Sequence, residues 1–295
     1  MIEDGLELRE RAFTYVEQIA QASGGVITRA QLEDFRPDGT QLKLIAPMQG
    51  INNPKTLAAT ISVVSSPRGP YADGSPSDGI WRYAYEGTTP GRTNIKLRRA
   101  YELGLPILYL EKISDGVYVP YTRVAVVRNR PDDLYFDMAL SEIKDLGDAT
   151  DDSLFERAYR ESVVKQRMHQ PRFRAQVLFA YKEQCAICGL PEPLLLDAAH
   201  IRGDKDPDGQ PIVPNGLALC SIHHRAYDRK LLGIDGDKRL HIRPDIAAIK
   251  DGPVLQSALQ GLPGKWLEFA PRGKNAPDPY RLEKTYKEFV DSLPV

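Results

Sequence analysis

The sequence predicts an α+β protein of two domains, a strand-rich one followed by one built on a ββα unit. Three observations point there. Residues 44–127 hold four short runs with strand character and one run of helical periodicity. All three cysteines and three of the five histidines fall between Cys185 and Asp228, in CAICGLPEPLLLDAAHIRGDKDPDGQPIVPNGLALCSIHHRAYD. A chain of 295 residues also has the length of two ordinary domains.

Bulk properties exclude some classes. The net charge of -1 argues neither for nor against nucleic acid, since local basic patches coexist with a neutral total. The odd cysteine count, two of them spaced Cys-x-x-Cys, and the charged start MIEDGLELRERAF do not suit a secreted disulfide scaffold. The longest apolar runs, such as Leu105 to Leu110, fall far short of the ~18 residues of a membrane span. These features predict a cytoplasmic protein with no membrane partner and with reduced thiols free to bind metal.

In chain order, Leu8, Ala12, Val16 and Ile19 recur at helical spacing until Ser23-Gly24-Gly25 stops the helix. Thr28 and Gln31 have the spacing of a capping box for a second short helix. Residues 1–43 are therefore expected to be a helical segment that packs or dimerises. Strands follow at 60–66, 80–87, 106–113 and 116–127, and alternation in the second puts Trp81, Tyr83 and Tyr85 on one face. A helix at 94–104 interrupts them, stopped by Gly104 and Pro106. The loop SSPRGPYADGSPSDG is too rich in Gly, Pro, Ser and Asp to be core, and loops of that length are usually functional. Residues 44–130 thus form a small curved β domain.

Over residues 50–128 the chain resembles the SRA family, PUA-like barrels that flip a modified cytosine out of duplex DNA. The resemblance lies in SVVSS, Tyr71-Ala72-Asp73, the aromatic strand ending Tyr85-Glu86-Gly87, and Asp115-Gly116-Val117-Tyr118. It implies that Tyr71 and Tyr85 stack on the base and that Asp73, with Asp78 as rival, accepts from its exocyclic amine. An aromatic face supplies about 1–3 kcal/mol of the stacking a flipped base loses, and a carboxylate suits an amine donor.

Residues 131–170 carry Pro-Asp-Asp and further acidic clusters and are expected to be a linker, with a helix capped by Ser153 and Glu156. The second domain then spans 171–295. It opens on a helix with Phe173, Val177, Leu178 and Tyr181 on one side. Cys185-x-x-Cys188 and Cys220-x-x-His223 are two half-sites that can close a tetrahedron around one structural zinc ion. The remaining chemistry forms a ββα unit, with His200 on the first strand, Asn215 before the second, and His224 and Asp228 one turn apart on the helix.

Through AHI, PNGLALC and CSIHH this segment resembles the HNH endonucleases, with the order His, Asn, His intact. The resemblance implies that His200 takes a proton from water attacking phosphorus and that Asn215 orients the imidazole through its side-chain amide. It implies that His224 and Asp228 hold a divalent ion, Mg²⁺ or Mn²⁺, that stabilises charge on the phosphate and the leaving 3′-oxygen. Products would carry 5′-phosphates. Ala199 stands where many members have a metal-binding aspartate. Asp197, three residues from His200 on a strand, is expected to point to the opposite face.

The tail adds a hairpin, IDGDKRLHI, and a last helix opened by Asp278 and Pro279, with Leu282, Tyr286, Phe289 and Val290 as an apolar stripe for core packing or a homodimer. Together these readings predict a modification-dependent restriction endonuclease acting on double-stranded DNA with 5-methylcytosine or 5-hydroxymethylcytosine. Two other readings stay open. One is an HNH endonuclease whose N-terminal domain reads unmodified sequence or a partner. The other is a zinc-stabilised DNA-binding module without catalysis.

Overall fold

The computed structural model describes residues 5–48, 50–65, 74–77, 80–87, 91, 93–140, 170–203, 206–250 and 252–293. The chain divides into two compact units, Met1–Pro171 and Arg172–Val295.

In the first unit, α1 (Leu6–Ala22), β1 (Ile27–Thr28) and α2 (Arg29–Glu33) precede β2 (Ile51–Asn52), β3 (Ser62–Ser65), β4 (Gly74–Ser77) and β5 (Ile80–Ala84). After α3 (Thr93–Glu102) come β6 (Ile107–Ser114), β7 (Val117–Arg130) and β8 (Tyr135–Leu140). The strands make one mixed sheet in the order β2-β3-β6-β7-β8-β5-β4, with β1 added along β7. Among the described residues only β3 and β6 run parallel; the connection between them carries β4, β5 and α3.

Side chains show how strongly this sheet curls. Four strand spacings separate β3 from β5, roughly 19 Å in a flat sheet. Yet the Tyr83 hydroxyl on β5 donates to the Val64 carbonyl on β3 at 3.4 Å. Trp81 on β5 stacks on Tyr109 of β6 at 4.7 Å between centroids and meets Tyr121 of β7 edge-on at 5.0 Å. The Glu86 carboxylate, just past β5, accepts the Ile51 N–H of β2 at 2.9 Å. Register shifts in the β6–β7 and β7–β8 pairs supply the bend. The expected barrel is thus a curled half-barrel: among the described residues no strand pairing joins its two ends.

Two expected boundaries shift. The N-terminal helices do not stand apart, because Ala12, Phe13 and Val16 of α1 and Leu32 of α2 share one core with Leu108, Leu110 and Tyr118. The capping box forms, with Thr28 Oγ1 accepting the Gln31 N–H and Gln31 Oε1 accepting the Thr28 N–H. The segment expected to be a linker contributes β8, which pairs with β7 and β5. Its Pro-Asp-Asp cluster lies in the β7–β8 turn, and buried Asp137 is held by Arg130 Nε at 3.0 Å. The helix expected at 153–168 lies outside the described residues.

Arg9 staples α1 down. It is fully buried, and its guanidinium donates to the carbonyls of Thr60 (2.7 Å), Pro106 (2.9 Å) and Ala59 (3.1 Å). Burial lowers its pKa to about 10, which leaves it charged at neutral pH.

In the second unit β9 (Leu196–His200) and β10 (Gly216–Cys220) form an antiparallel pair, and α4 (Ser221–Asp228) leaves directly from β10. The hairpin β11 (Leu232–Ile234) and β12 (Leu240–Ile242) is covered by α5 (Pro279–Asp291), which Asp278 caps by accepting the Arg281 N–H at 3.1 Å. A Cβ on Gly233 would lie 2.5 Å from the Phe289 ring, so glycine permits that approach. Leu282 and Phe289 of the C-terminal stripe are spent on this unit's own packing, while Val290 is exposed.

Replacing Arg9 with Ala leaves three buried carbonyls without their donor. We expect a loss of about 3 kcal/mol in the stability of the first unit. Urea denaturation followed by Trp81 fluorescence, in a Trp266→Phe background, measures it.

Candidate functional site: a Cys3His knuckle and the hairpin and helix beside it

Cys185 and Cys188 lie in the turns after the helical residues 170–180, and Cys220 and His223 sit at the junction of β10 and α4. The fold brings their ligand atoms within 4.8 Å of one another. His223 Nδ1 is 3.4 Å from Cys185 Sγ and 3.2 Å from Cys220 Sγ, and Cys188 Sγ is 4.0 Å from Cys220 Sγ. Zinc–sulfur bonds near 2.3 Å in a tetrahedron give sulfur–sulfur edges of roughly 3.8 Å. The donor set therefore fits a closed structural zinc site.

The histidine is prepared for it. Nε2 lies 2.8 Å from the Ala258 carbonyl, which can only accept, so Nε2 carries the proton and Nδ1 presents its lone pair to the sulfurs. The neighbouring Cys220 thiol, which donates to Cys185, holds the Cys185 thiol well below its ordinary value, and the Cys220 thiol is raised because it keeps the shared proton. A bound cation replaces that proton.

His200 ends β9 opposite Gly216, and its ring stacks on Phe173 at 4.0 Å between centroids and 17° between planes. A Cβ on Gly216 would lie 2.4 Å from Val177 Cγ2 and 2.9 Å from Phe173 Cζ, so glycine lets the helical residues close on the hairpin. Phe173 was legible as a core residue; nothing in its spacing signalled that it would face His200.

Asn215 is fully buried, and its amide serves the backbone rather than the imidazole. Oδ1 accepts the Arg202 N–H at 2.9 Å, and Nδ2 donates to the carbonyls of Arg202 and Gln210, both at 3.0 Å. With both amide hydrogens used, it can position His200 only through Ile201 and Arg202. The same loop is clamped to α5: Arg202 reaches Glu288 at 2.7 Å and Thr285 at 3.2 Å and pairs with Asp206, while Lys284 holds Asp208 at 2.8 Å. Arg202, first among its partners, holds the Asp206 carboxyl far below the ordinary carboxylate range. That stabilisation is present above the unfolded carboxyl's pKa and is lost only as pH falls through the much lower folded value.

His224 and Asp228 come together as their spacing required, Nε2 to Oδ2 at 3.3 Å. That bite is close to the roughly 2.9 Å edge of an octahedral Mg²⁺ site, and such sites keep several waters. Asp197 also reaches this imidazole. Its Oδ2 lies 3.5 Å from His224 Nδ1, because α4 packs on β9 as well as β10 and brings the imidazole to it. Arg174 steadies that end of β9 by donating to the carbonyls of Pro193 and Leu196 at 3.0 and 2.8 Å. Ala199 is buried in the core. Among the described residues the Cys3His set is the one group of three or more such ligands close enough to share an ion.

In the first unit, Tyr71, Asp73 and Asp78 lie outside the described residues. Tyr85 is buried, stacked on Phe136 at 4.6 Å, with its hydroxyl on Asn129. Asp115 lies in the β6–β7 turn, paired with Lys112 at 2.7 Å.

Residues 185–235 match the family model described as HNH endonuclease. A search of curated proteins finds no match. Among solved structures, a modification dependent TagI restriction endonuclease aligns at 17% identity over 84% of this chain and 86% of that one, with a TM-score of 0.30. The type IV phosphorothioation-dependent restriction endonuclease ScoMcrA aligns at 16% identity over 82% of this chain, with a TM-score of 0.24. This chain covers 56% of the latter. At these TM-scores neither alignment carries an argument about architecture.

Purified protein is expected to hold one equivalent of zinc by elemental analysis, and Cys185→Ser or His223→Ala to lose it together with the thermal transition of the second unit. A bound ion absent from wild-type protein would refute the assignment. The knuckle, the hairpin and the helix follow one another without interruption inside the matched segment, and residues 185–235 are an HNH endonuclease domain, the phosphodiester-hydrolysing part of this chain.

Proposed function

We propose that this protein is a modification-dependent DNA endonuclease whose N-terminal β unit recognises 5-methylcytosine or 5-hydroxymethylcytosine and whose HNH domain cuts nearby, leaving 5′-phosphates. One observation supports the reading: residues 185–235 match the HNH endonuclease model and hold His200, Asn215, His224 and Asp228 in that order, together with a Cys3His set that fits zinc.

In this reading His200, its plane set by Phe173, is the general base, and the Asn215 amide keeps the strand end that carries it in place. His224 and Asp228 hold a divalent cation, with Asp197 close enough to His224 to orient its ring. When bound, that cation supplies charge stabilisation at the phosphate and the leaving 3′-oxygen. For the reader unit, the support is the sequence resemblance together with the curled sheet. In this reading Tyr71 and Tyr85 stack on the base and Asp73 accepts from its exocyclic amine.

A second reading rests on Tyr85 itself. A ring already stacked on Phe136 is core packing, which favours an HNH endonuclease whose β unit reads unmodified sequence or a partner. Matched duplexes carrying cytosine, 5-methylcytosine or 5-hydroxymethylcytosine, incubated with Mg²⁺ or Mn²⁺, separate the two. We expect cleavage of a modified duplex only, its loss in Tyr71→Ala and Asp73→Ala, and at least a 100-fold fall in rate in His200→Ala. Equal cutting of all three duplexes would establish the second reading, and undiminished cutting by His200→Ala would remove that residue as base.

A further inference from the structure

Beside His224 lies a surface that neither the zinc knuckle nor the cleavage chemistry uses. Leu194 and Leu195, in the single 3-10 turn before β9, are 60% and 50% exposed, and Ile222 in the first turn of α4 is 49% exposed. Three large aliphatic side chains in the open at one place are unusual on a soluble domain. The turn is not loose. Arg174 donates to the Pro193 and Leu196 carbonyls on either side of the two leucines, Glu192 caps the turn at the Leu194 N–H, and Ser221 Oγ donates to the Leu195 carbonyl at 3.4 Å. That last bond sets the turn against the start of α4.

Along α4 the exposed residues Ile222, Arg225 and Arg229 follow at steps of three and four and so share one side of the helix. Among the described residues neither arginine makes an ion pair, whereas Arg174, Arg202 and Arg243 of this unit each do. Asp228, the carboxylate nearest to both in sequence, is turned to His224 instead. Two guanidiniums without ion pairs, one helical turn apart on the helix that carries His224 and starts against the Leu194–Leu195 turn, match the phosphates of a polyanion.

Resting on the nuclease reading, we propose that Leu194, Leu195, Ile222, Arg225 and Arg229 form the surface that grips the DNA beside the cut, arginines on phosphates and aliphatic side chains against the groove. The contact is independent of base modification.

Fluorescence anisotropy of the full chain on a labelled 30-base-pair duplex, without divalent ion and across a salt series, tests this. Each lost phosphate contact removes about 0.9 from the slope of log affinity against log salt, so Arg225→Gln/Arg229→Gln lowers that slope by about 2 on modified and unmodified duplex alike. Leu194→Ser/Leu195→Ser weakens binding about tenfold with the slope unchanged. Zinc content and circular dichroism confirm that both variants are folded. An unchanged slope in the arginine variant overturns the proposal. So does a leucine variant that binds as wild type but changes oligomeric state by light scattering, because the ridge then belongs to a second copy. Failure of the modified-base reading shows separately, as equal wild-type affinity for the two duplexes.

Discussion

Everything chemical in the second unit depends on the hydrogen bond from His223 Nε2 to the Ala258 carbonyl. It fixes which nitrogen meets the sulfurs, and with Cys220 at the foot of α4 it fixes where that helix starts and how it is rotated. Consecutive residues on a helix point about 100° apart. Locking His223 inward therefore sets the direction of His224, which turns to Asp197 and Asp228. A structural ion and a catalytic one can then be served by adjacent histidines without competing, because each ring has its own second partner.

The loop from His200 to Asn215 shows a related economy. Both ends are tied by one buried amide, and the middle is clamped to α5 through Arg202, Asp206, Asp208 and Lys284. Salt bridges at a surface contribute little, but these flank a guanidinium that is itself nearly buried, which makes the geometry more constrained than an exposed pair. The C-terminal helix is thereby part of what holds the strand end carrying His200.

The first unit is organised by aromatic packing. Trp81, Tyr109 and Tyr121 fill the concave side of the sheet, and the Tyr83 and Glu86 contacts bring strands together that a flat sheet would hold far apart. The alternation that puts Trp81, Tyr83 and Tyr85 on one face is plain in the sequence. Whether that face is an open platform or the core is a matter of curvature, and curvature depends on which strands pair across long stretches of chain.

The sequence by itself determined the ligand identities and their order: Cys-x-x-Cys, Cys-x-x-His, then His, Asn and His, with Asp228 a turn beyond His224. Those are local regularities of spacing and residue chemistry, and a helix or a tight turn converts them directly into proximity. The tertiary structure alone decided the partners that come from elsewhere in the chain. It gave the Asn215 amide to the backbone of Arg202 and Gln210, brought Asp197 to His224, laid Phe173 on His200, packed Tyr85 against Phe136 and drew Tyr135–Leu140 into the sheet. Each of these is a contact between segments whose separation in sequence carries no periodicity, so only the packing of whole elements against one another can set it.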